Sequence, residues 1–308
     1  MRPGKKLWLV AILALLLSGC GQRPAYRKVS LVPVEAAAPT ATSAAPENAP
    51  LRVAIAAVIS PRSTMQSYQP MLDYLEEKTG RPVELVQRRT YAEINDLLRT
   101  RQVDLAFVCT GAYVRGQQEF GMELLVAPQV NGQTVYYSYI IVPADSPAQS
   151  LADLRGRVFA FTDPLSNTGR LAPLYLLWQM GETPEHFFQK AIFTYSHDNS
   201  IKAVAEKWVD GAAVDSLVYD FTAQHEPDYI QQTRIVARSE PYGIPPVVVH
   251  PELDADLKQQ LRDILLGLDG DEGGREALAE LGIERFVTVG DSLYDSARRV
   301  LDTVGQGP

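Results

Sequence analysis

The sequence has little cysteine, little histidine and no surplus of positive charge, and each shortage excludes a class of protein. Its 308 residues include two cysteines, which are too few for a disulfide framework or a zinc cluster. The four histidines lack the spacing of metal ligands or of a nucleophile and its base. A net charge of −8 argues against a nucleic-acid partner. We therefore expect a protein without catalysis, cofactor or metal, stabilised by its core.

Long apolar runs are absent except near the N-terminus. There, Arg2, Lys5 and Lys6 precede the apolar run from Leu7 to Leu17, and two small residues follow. A membrane helix needs about 20 apolar residues, and this run covers roughly half of that length. Basic, apolar and small residues in this order are typical of a secretory signal, so we predict an exported protein.

The end of this signal resembles the lipobox of bacterial lipoproteins. The segment Leu17-Ser18-Gly19-Cys20 matches it, and the resemblance implies a signal peptide over residues 1–20 with Cys20 lipidated. An ordinary signal peptide that happens to end in cysteine is the alternative. Removing residues 1–19 removes three cations and no acids, so the charge goes from −8 to −11. Any site for an anion must then be a local feature.

Residues 21–50 are rich in Ala, Pro, Thr, Ser and Glu, which cannot bury enough apolar surface to fold. We predict a disordered tether that holds a folded body away from a membrane. From residue 51 onward, short β-rich apolar runs alternate with helical stretches, which is typical of an α/β fold with mainly parallel sheets.

The order of these segments predicts two lobes with a cleft between them. Strands are expected at residues 51–56, 83–86 and 103–108, with a helix in which Pro70 fits the first turn and Gly80 ends the helix.

A strand over residues 136–142 marks the crossing to the second lobe. We assign residues 51–142 and 239–308 to lobe 1, and residues 143–238 to lobe 2.

The segment from Asp163 to Gly169 has the features of an anion cradle. It follows a strand, turns at Pro164 and feeds a helix through Ser166, Asn167 and Thr168. The first turn of a helix offers unpaired N–H groups and a partial positive charge, so it can hold an oxyanion without a lysine. Hydroxyl side chains add donors. A plain helix cap is the alternative interpretation.

This segment resembles the Asp-Pro-x-Ser-x-Ser/Thr-Gly motif of the phosphonate-, phosphite- and phosphate-binding branch of type II periplasmic binding proteins. The similarity extends over most of residues 51–300, through residues 151–156, 196–200 and 209–215. It implies a two-lobed Venus-flytrap fold that closes on a small oxyanion and presents the closed form to the permease of an ABC transporter. Such a protein is extracytoplasmic.

The resemblance also implies contacts in the second lobe. Oxyanion contacts fall on Ser166, Asn167 and Thr168, with His197 donating from a neighbouring loop, or merely capping a helix. A charged His197 is expected to donate more strongly. Asp215 is expected either to cap a helix or to accept a hydrogen bond from a protonated ligand oxygen, which would favour ligands that carry an acidic proton.

In the first lobe and at the crossing, the resemblance places aromatic hydroxyl contacts at Tyr91 and Tyr136, and Tyr136 is hard to separate from Tyr137. Cys109 and Thr110 follow a strand at a helix start that lines the cleft. A thiol there is expected to have a lowered pKa. The alternative is a small buried residue.

Two residues depart from the family members that bind aminoalkyl phosphonates. Leu217 and Pro245 lie near the places of acidic side chains in those proteins. A compact phosphate, phosphite or phosphonate is therefore expected.

Other functions remain open at this stage. An arsenite- or oxyanion-sensing protein that signals to a membrane kinase would use Cys109, and a scaffold lipoprotein of the envelope would bind no small ligand.

Overall fold

A computed structural model describes residues 49–305. The predicted signal peptide, the lipidated Cys20 and the tether up to residue 48 lie outside the described residues. The described residues belong to one compact unit. Within the described range, no helix combines the length and the hydropathy of a membrane span.

Thirteen strands of the described residues build the two large sheets and a small ribbon. They are β1 (Leu51–Ile55), β2 (Val83–Gln87), β3 (Leu105–Phe107), β4 (Glu123–Gln129), β5 (Val135–Tyr136), β6 (Ser138–Pro143), β7 (Val158–Phe161), β8 (Lys190–Phe193), β9 (Gly211–Asp215), β10 (Thr233–Arg238), β11 (Tyr242–Gly243), β12 (Val247–Val249) and β13 (Arg285–Val287).

Eleven α-helices connect and cover the strands in the described part of the chain. They are α1 (Pro61–Thr79), α2 (Tyr91–Arg99), α3 (Thr110–Phe120), α4 (Ala172–Gln179), α5 (Pro184–Phe187), α6 (His197–Ala205), α7 (Ser216–His225), α8 (Pro227–Gln231), α9 (Ala255–Leu266), α10 (Glu272–Glu280) and α11 (Asp295–Val304). A π-helical turn, Asn167–Leu171, precedes α4, and short 3₁₀ turns occupy Leu151–Leu154, Leu268–Gly270 and Asp291–Tyr294.

The two large sheets form the centres of two lobes. The first has the strand order β13-β4-β12-β3-β1-β2, and the second β10-β6-β9-β7-β8. Apolar clusters pack on the faces of both sheets, with Leu51, Leu105 and Phe286 in the first lobe and Phe159 and Phe187 in the second. This two-lobed α/β fold agrees with the sequence prediction.

The sheets are mixed rather than mainly parallel, which corrects the prediction. Parallel pairing is confined to β2-β1-β3 and β8-β7-β9. The chain enters the second sheet on β6 and returns to the first sheet on β12. Each of these strands pairs antiparallel with both of its neighbours. A crossing strand arrives without a covering helix, so nothing constrains it to the parallel direction that a βαβ unit imposes.

The crossing strand predicted at residues 136–142 is two strands. β5 pairs with β11 in a two-stranded ribbon, whereas β6 belongs to the second sheet. The sequence prediction assigns residues up to 142 to the first lobe, whereas β6 pairs with β10 and β9 of the second sheet. The remaining limits of the lobes stay a prediction.

Helix α1 begins nine residues before Pro70, so the prediction that Pro70 lies in the first turn is wrong. Pro61 occupies the first turn instead, where a missing N–H costs nothing. The predicted end is confirmed: Gly80 has φ 66° and its N–H donates to the carbonyl of Glu76.

Candidate ligand-binding site

The motif from Asp163 to Gly169 folds into a tight turn that opens a helix. The Ser166 hydroxyl oxygen accepts the N–H of Gly169 at 3.0 Å and so caps the helix that runs from Asn167 through α4. Glycine is required at 169, because a Cβ there would lie 2.4 Å from the Thr162 hydroxyl oxygen. With its oxygen accepting that bond, the Ser166 hydroxyl keeps its proton for another acceptor.

Several polar atoms around this helix start are buried without a hydrogen-bond partner in the protein. They are the hydroxyls of Thr168 and Tyr91 and the side-chain oxygen of Asn167. All three residues have no exposed surface. A buried polar group without a partner costs about 1–3 kcal/mol. This cluster costs the fold stability, which makes it a candidate for contacts with a ligand.

His197 enters this cluster as a neutral donor. Its Nδ1 accepts the backbone N–H of Asp215 at 3.1 Å, so the proton of the neutral ring lies on Nε2. Nε2 lies 3.5 Å from the Ser166 hydroxyl oxygen. Burial lowers the pKa of His197 to about 3, so the ring is neutral and lacks the charge that would strengthen its donation. Desolvation disfavours the imidazolium, and no carboxylate compensates for it.

Asp215 lies at the end of β9, next to His197, and is 2 % exposed. One carboxylate oxygen caps α7 by accepting the N–H of Leu217 at 2.7 Å. Burial raises the pKa of Asp215 to about 7. A proton on this carboxyl near neutral pH would let it donate to a ligand oxygen, whereas the sequence prediction has it accept from a protonated ligand.

Tyr136 reaches the same cluster from the crossing ribbon. Its hydroxyl accepts the side-chain N–H of Asn167 at 3.3 Å. Tyr137 points elsewhere, because the Arg238 guanidinium stacks on its ring at 3.4 Å. Thr110 donates its hydroxyl to the carbonyl of Gly243, so its proton is committed to the first lobe.

The residues that thus converge are called the cradle below: Tyr91, Tyr136, Ser166, Asn167, Thr168, His197 and Asp215.

Cys109 is buried against the cradle as a neutral thiol. It is 2 % exposed and lies close to the phenols of Tyr91 and Tyr136. Burial raises the pKa of Cys109 to about 11, although the N–H groups of Asn167 and Gly111 oppose this shift. The prediction of a lowered pKa is therefore wrong, because desolvation outweighs the helix start.

The two lobes are closed over the cradle by hydrogen bonds that cross the cleft. The N–H of Ser60 donates to both oxygens of Asp198 at 3.0 Å. The N–H of Tyr91 donates to Asp163 at 3.2 Å, and that of His197 to the carbonyl of Val58 at 2.9 Å.

A cation–π contact also crosses the cleft. The Arg89 guanidinium lies 4.1 Å from the centre of the Tyr195 ring. Tyr195 has φ 62°, a left-handed conformation that is uncommon for a bulky residue, directly before the loop of His197.

The lobes also approach each other closely at Gly111 in α3. A Cβ at this position would lie 2.2 Å from the carbonyl oxygen of Leu165 and 3.0 Å from the N–H nitrogen of Asn167. Both atoms are backbone and cannot move aside easily. Only glycine permits this closed form.

Sequence reasoning missed Asp163 and Asp198 as contacts across the cleft. Their partners lie 72 and 138 residues away in the chain, and no local pattern indicates such pairs. Ser196 is a further candidate, since its buried hydroxyl also lacks a partner. In the described part of the chain, no three His, Cys, Asp or Glu side chains are grouped as a metal site.

Comparison with known proteins identifies one family. Residues 53–294 match the model of the family described as the periplasmic substrate-binding protein of a phosphonate ABC transporter. A phosphate-import protein of Mycolicibacterium smegmatis is 33% identical over 193 residues, which are 58% of this chain and 60% of that protein. The phosphonates-binding periplasmic protein of Escherichia coli is 24% identical over 77% of this chain and 71% of its own length.

A solved structure has the same fold. The crystal structure of a binding-protein component of an ABC phosphonate transporter from Pseudomonas aeruginosa superposes with a TM-score of 0.77. The two proteins are 23% identical, and the superposition covers 81% of this chain and 84% of the other. At this identity the likeness establishes the two-lobed fold alone.

Proposed function

The chain belongs to the family of periplasmic substrate-binding proteins of phosphonate ABC transporters, and from this membership we propose that it captures a phosphorus oxyanion for import. The ligand would be phosphate, phosphite or a phosphonate, delivered to the membrane permease of an ABC transporter. The family consists of transport proteins rather than enzymes. The named relatives import phosphate or bind phosphonates, and the first of them is matched over 60% of its length.

The observation that carries the proposal is the group of buried donors around one helix start. Ser166, Thr168 and His197 each keep a proton available there, and the helix start adds backbone N–H groups with a partial positive charge. The cradle contains no lysine or arginine. Burying a neutral donor costs less free energy than burying a charged one. Neutral donors therefore suit a tetrahedral oxyanion in a buried site.

Closure of the lobes completes the site. Tyr91 belongs to the first lobe, Tyr136 to the crossing ribbon, and the other five cradle residues to the second-lobe segments. A ligand that forms hydrogen bonds with donors of both lobes binds the closed form more tightly than the open form. The difference between these two binding free energies shifts the equilibrium toward the closed form. The closed form is then the state offered to a permease.

Calorimetric titration of the full-length chain in detergent tests the proposal. Phosphate, phosphite and methylphosphonate are the ligands, with arsenate and arsenite as competitors. We expect tight binding of at least one phosphorus oxyanion. Failure of all three to bind would overturn the proposal.

The Cys109→Ser variant separates oxyanion uptake from metalloid sensing. The neutral, buried thiol favours the first function, so the variant is expected to bind the phosphorus ligand as the parent chain does. Arsenite binding that is lost in Cys109→Ser would instead support a sensor.

We also propose that Cys20 anchors the protein to the membrane through a lipid. The support is the lipobox-like segment that ends at Cys20. Burial of acyl methylenes contributes roughly 0.8 kcal/mol each to such anchoring. Cys20→Ser is expected to move the protein from the membrane fraction to the soluble fraction, as fractionation and immunoblotting would show.

The affinity for methylphosphonate is expected to fall as the pH rises through 7, because Asp215 must keep a proton to donate to a ligand oxygen. Below its pKa of about 7 the carboxyl is a donor, and above it the carboxylate repels the anion. One coupled proton changes the affinity by up to about tenfold per pH unit. Titration from about pH 6 to about pH 9 measures the slope.

The matched control for this pH dependence is Asp215→Asn. The amide keeps an acceptor for the N–H of Leu217 and donates at every pH. The affinity of this variant is expected to depend less steeply on pH, because only the ionisation of the ligand itself remains. Equal slopes in the two proteins would exclude Asp215 as the proton carrier.

A further inference from the structure

A cavity of about 230 Å³ lies in the cleft beside the cradle. Its walls come from both lobes and are mainly apolar. The first lobe contributes Val58, Ile59 and Tyr68, and the second contributes Leu217 and Phe221. This space is called the cleft cavity below.

The cleft cavity adjoins the cradle. Asp215 belongs to the cradle and also lines the cavity. Val58 lines the cavity, and its carbonyl accepts the N–H of His197. Val108, another wall residue, directly precedes Cys109. A substituent on a ligand in the cradle would therefore lie close to this space.

The charges around the cleft cavity exclude two kinds of substituent. Among the described residues that line it there is no lysine or arginine, so a second anionic group would find no partner. Asp220 is the one carboxylate of the lining outside the cradle. Its side chain is exposed, and its charge already interacts with that of the nearby Arg238 guanidinium. An ammonium group gains little there.

The volume is larger than a bare oxyanion needs. A water needs about 10–15 Å³ of such volume, and an apolar cavity of about 150 Å³ can hold a benzene molecule. The methyl group of methylphosphonate would leave most of about 230 Å³ unfilled. A chain of several carbons or an aromatic ring fits the space.

We propose that the ligand is a phosphonate with an apolar substituent larger than methyl, a short alkyl chain or an aryl ring, which occupies the cleft cavity against Leu217 and Phe221. This inference rests on the proposed function, because the cradle must hold the oxyanion. It adds the class of substituent to the class of oxyanion.

Calorimetric titration of the full-length chain in detergent with a phosphonate series tests the inference. The ligands are phosphate and the methyl-, propyl-, phenyl- and 2-aminoethylphosphonates. Each buried methylene is expected to raise the affinity threefold to fourfold, so propylphosphonate should bind about 10- to 15-fold tighter than methylphosphonate. The 2-aminoethyl compound has nearly the shape of the propyl compound and should bind more weakly than it.

The variants Leu217→Ala and Leu176→Ala locate the effect. Both leucines are half-buried on second-lobe helices, but only Leu217 lines the cleft cavity. The ratio of propylphosphonate to phosphate affinity is expected to fall several-fold in Leu217→Ala and to persist in Leu176→Ala.

Propyl- and phenylphosphonate that bind no tighter than methylphosphonate, or 2-aminoethylphosphonate that binds tighter than propylphosphonate, would overturn the inference and leave the proposed function standing. A ratio that falls equally in both variants would also overturn it. Absence of binding by every member of the series would overturn both.

Discussion

The double variant Ser166→Ala with Thr168→Ala is expected to lose two to four orders of magnitude in affinity for its oxyanion. Each hydroxyl is proposed to donate to a charged oxygen, and such a bond contributes about 1.5–3 kcal/mol. The Thr168 hydroxyl has no partner in the protein, so its removal breaks no hydrogen bond of the folded chain. Loss of the Ser166 cap costs about 1 kcal/mol of stability. Calorimetry measures the affinity and thermal unfolding measures the stability.

A matched control separates binding from folding. Ser150 caps the helical turn Leu151–Leu154, and Thr303 bonds the carbonyl of Arg299 within α11, both outside the cradle. The double variant Ser150→Ala with Thr303→Ala removes the same groups and should keep its affinity. Unchanged affinity in the Ser166 and Thr168 variant would refute the cradle, because the hydroxyls would then serve only as caps.

Gly111→Ala is expected to weaken binding roughly tenfold to a hundredfold by preventing full closure. The added methyl group meets the backbone of the other lobe at 2.2 Å, and overpacking of this kind costs about 1–3 kcal/mol. The apparent affinity falls with the fraction of molecules that can close. Because the clash arises only between lobes, the melting temperature without ligand should change little. Small-angle scattering with saturating ligand would show a more open molecule.

Gly270→Ala is the control for this substitution. A Cβ at Gly270 meets nothing within 4 Å, and its φ lies outside the left-handed range. It should bind the ligand as the parent chain does. Full affinity and full compaction in Gly111→Ala would show that the lobes close in another way.

The local elements of the cradle were accessible from the sequence because their signals are local. The turn at Pro164, the cap at Ser166 and the helix behind it follow from residue types at fixed spacing. The place of His197 beside that turn came from family resemblance, since 31 residues separate it from Ser166. Spacing alone would not have joined them.

The errors have physical causes that lie in the tertiary structure. Helix starts lower a thiol pKa only when the charge stays solvated, and Cys109 is buried. The run from Tyr136 to Val142 has uniform β propensity, so nothing in it indicates that the chain changes sheets after Tyr136. Antiparallel pairing at β12 depends on strands more than 100 residues apart.

Amide hydrogen exchange can measure the opening of the cleft without an attached label. The N–H groups of Ser60, Tyr91 and His197 all donate across the cleft. Such protons exchange with deuterium only while their hydrogen bonds are broken. Amides inside the sheets exchange only through larger unfolding events. The hydrogen-exchange rates of these three amides therefore report how often the lobes separate. A bound ligand should slow the exchange of all three together.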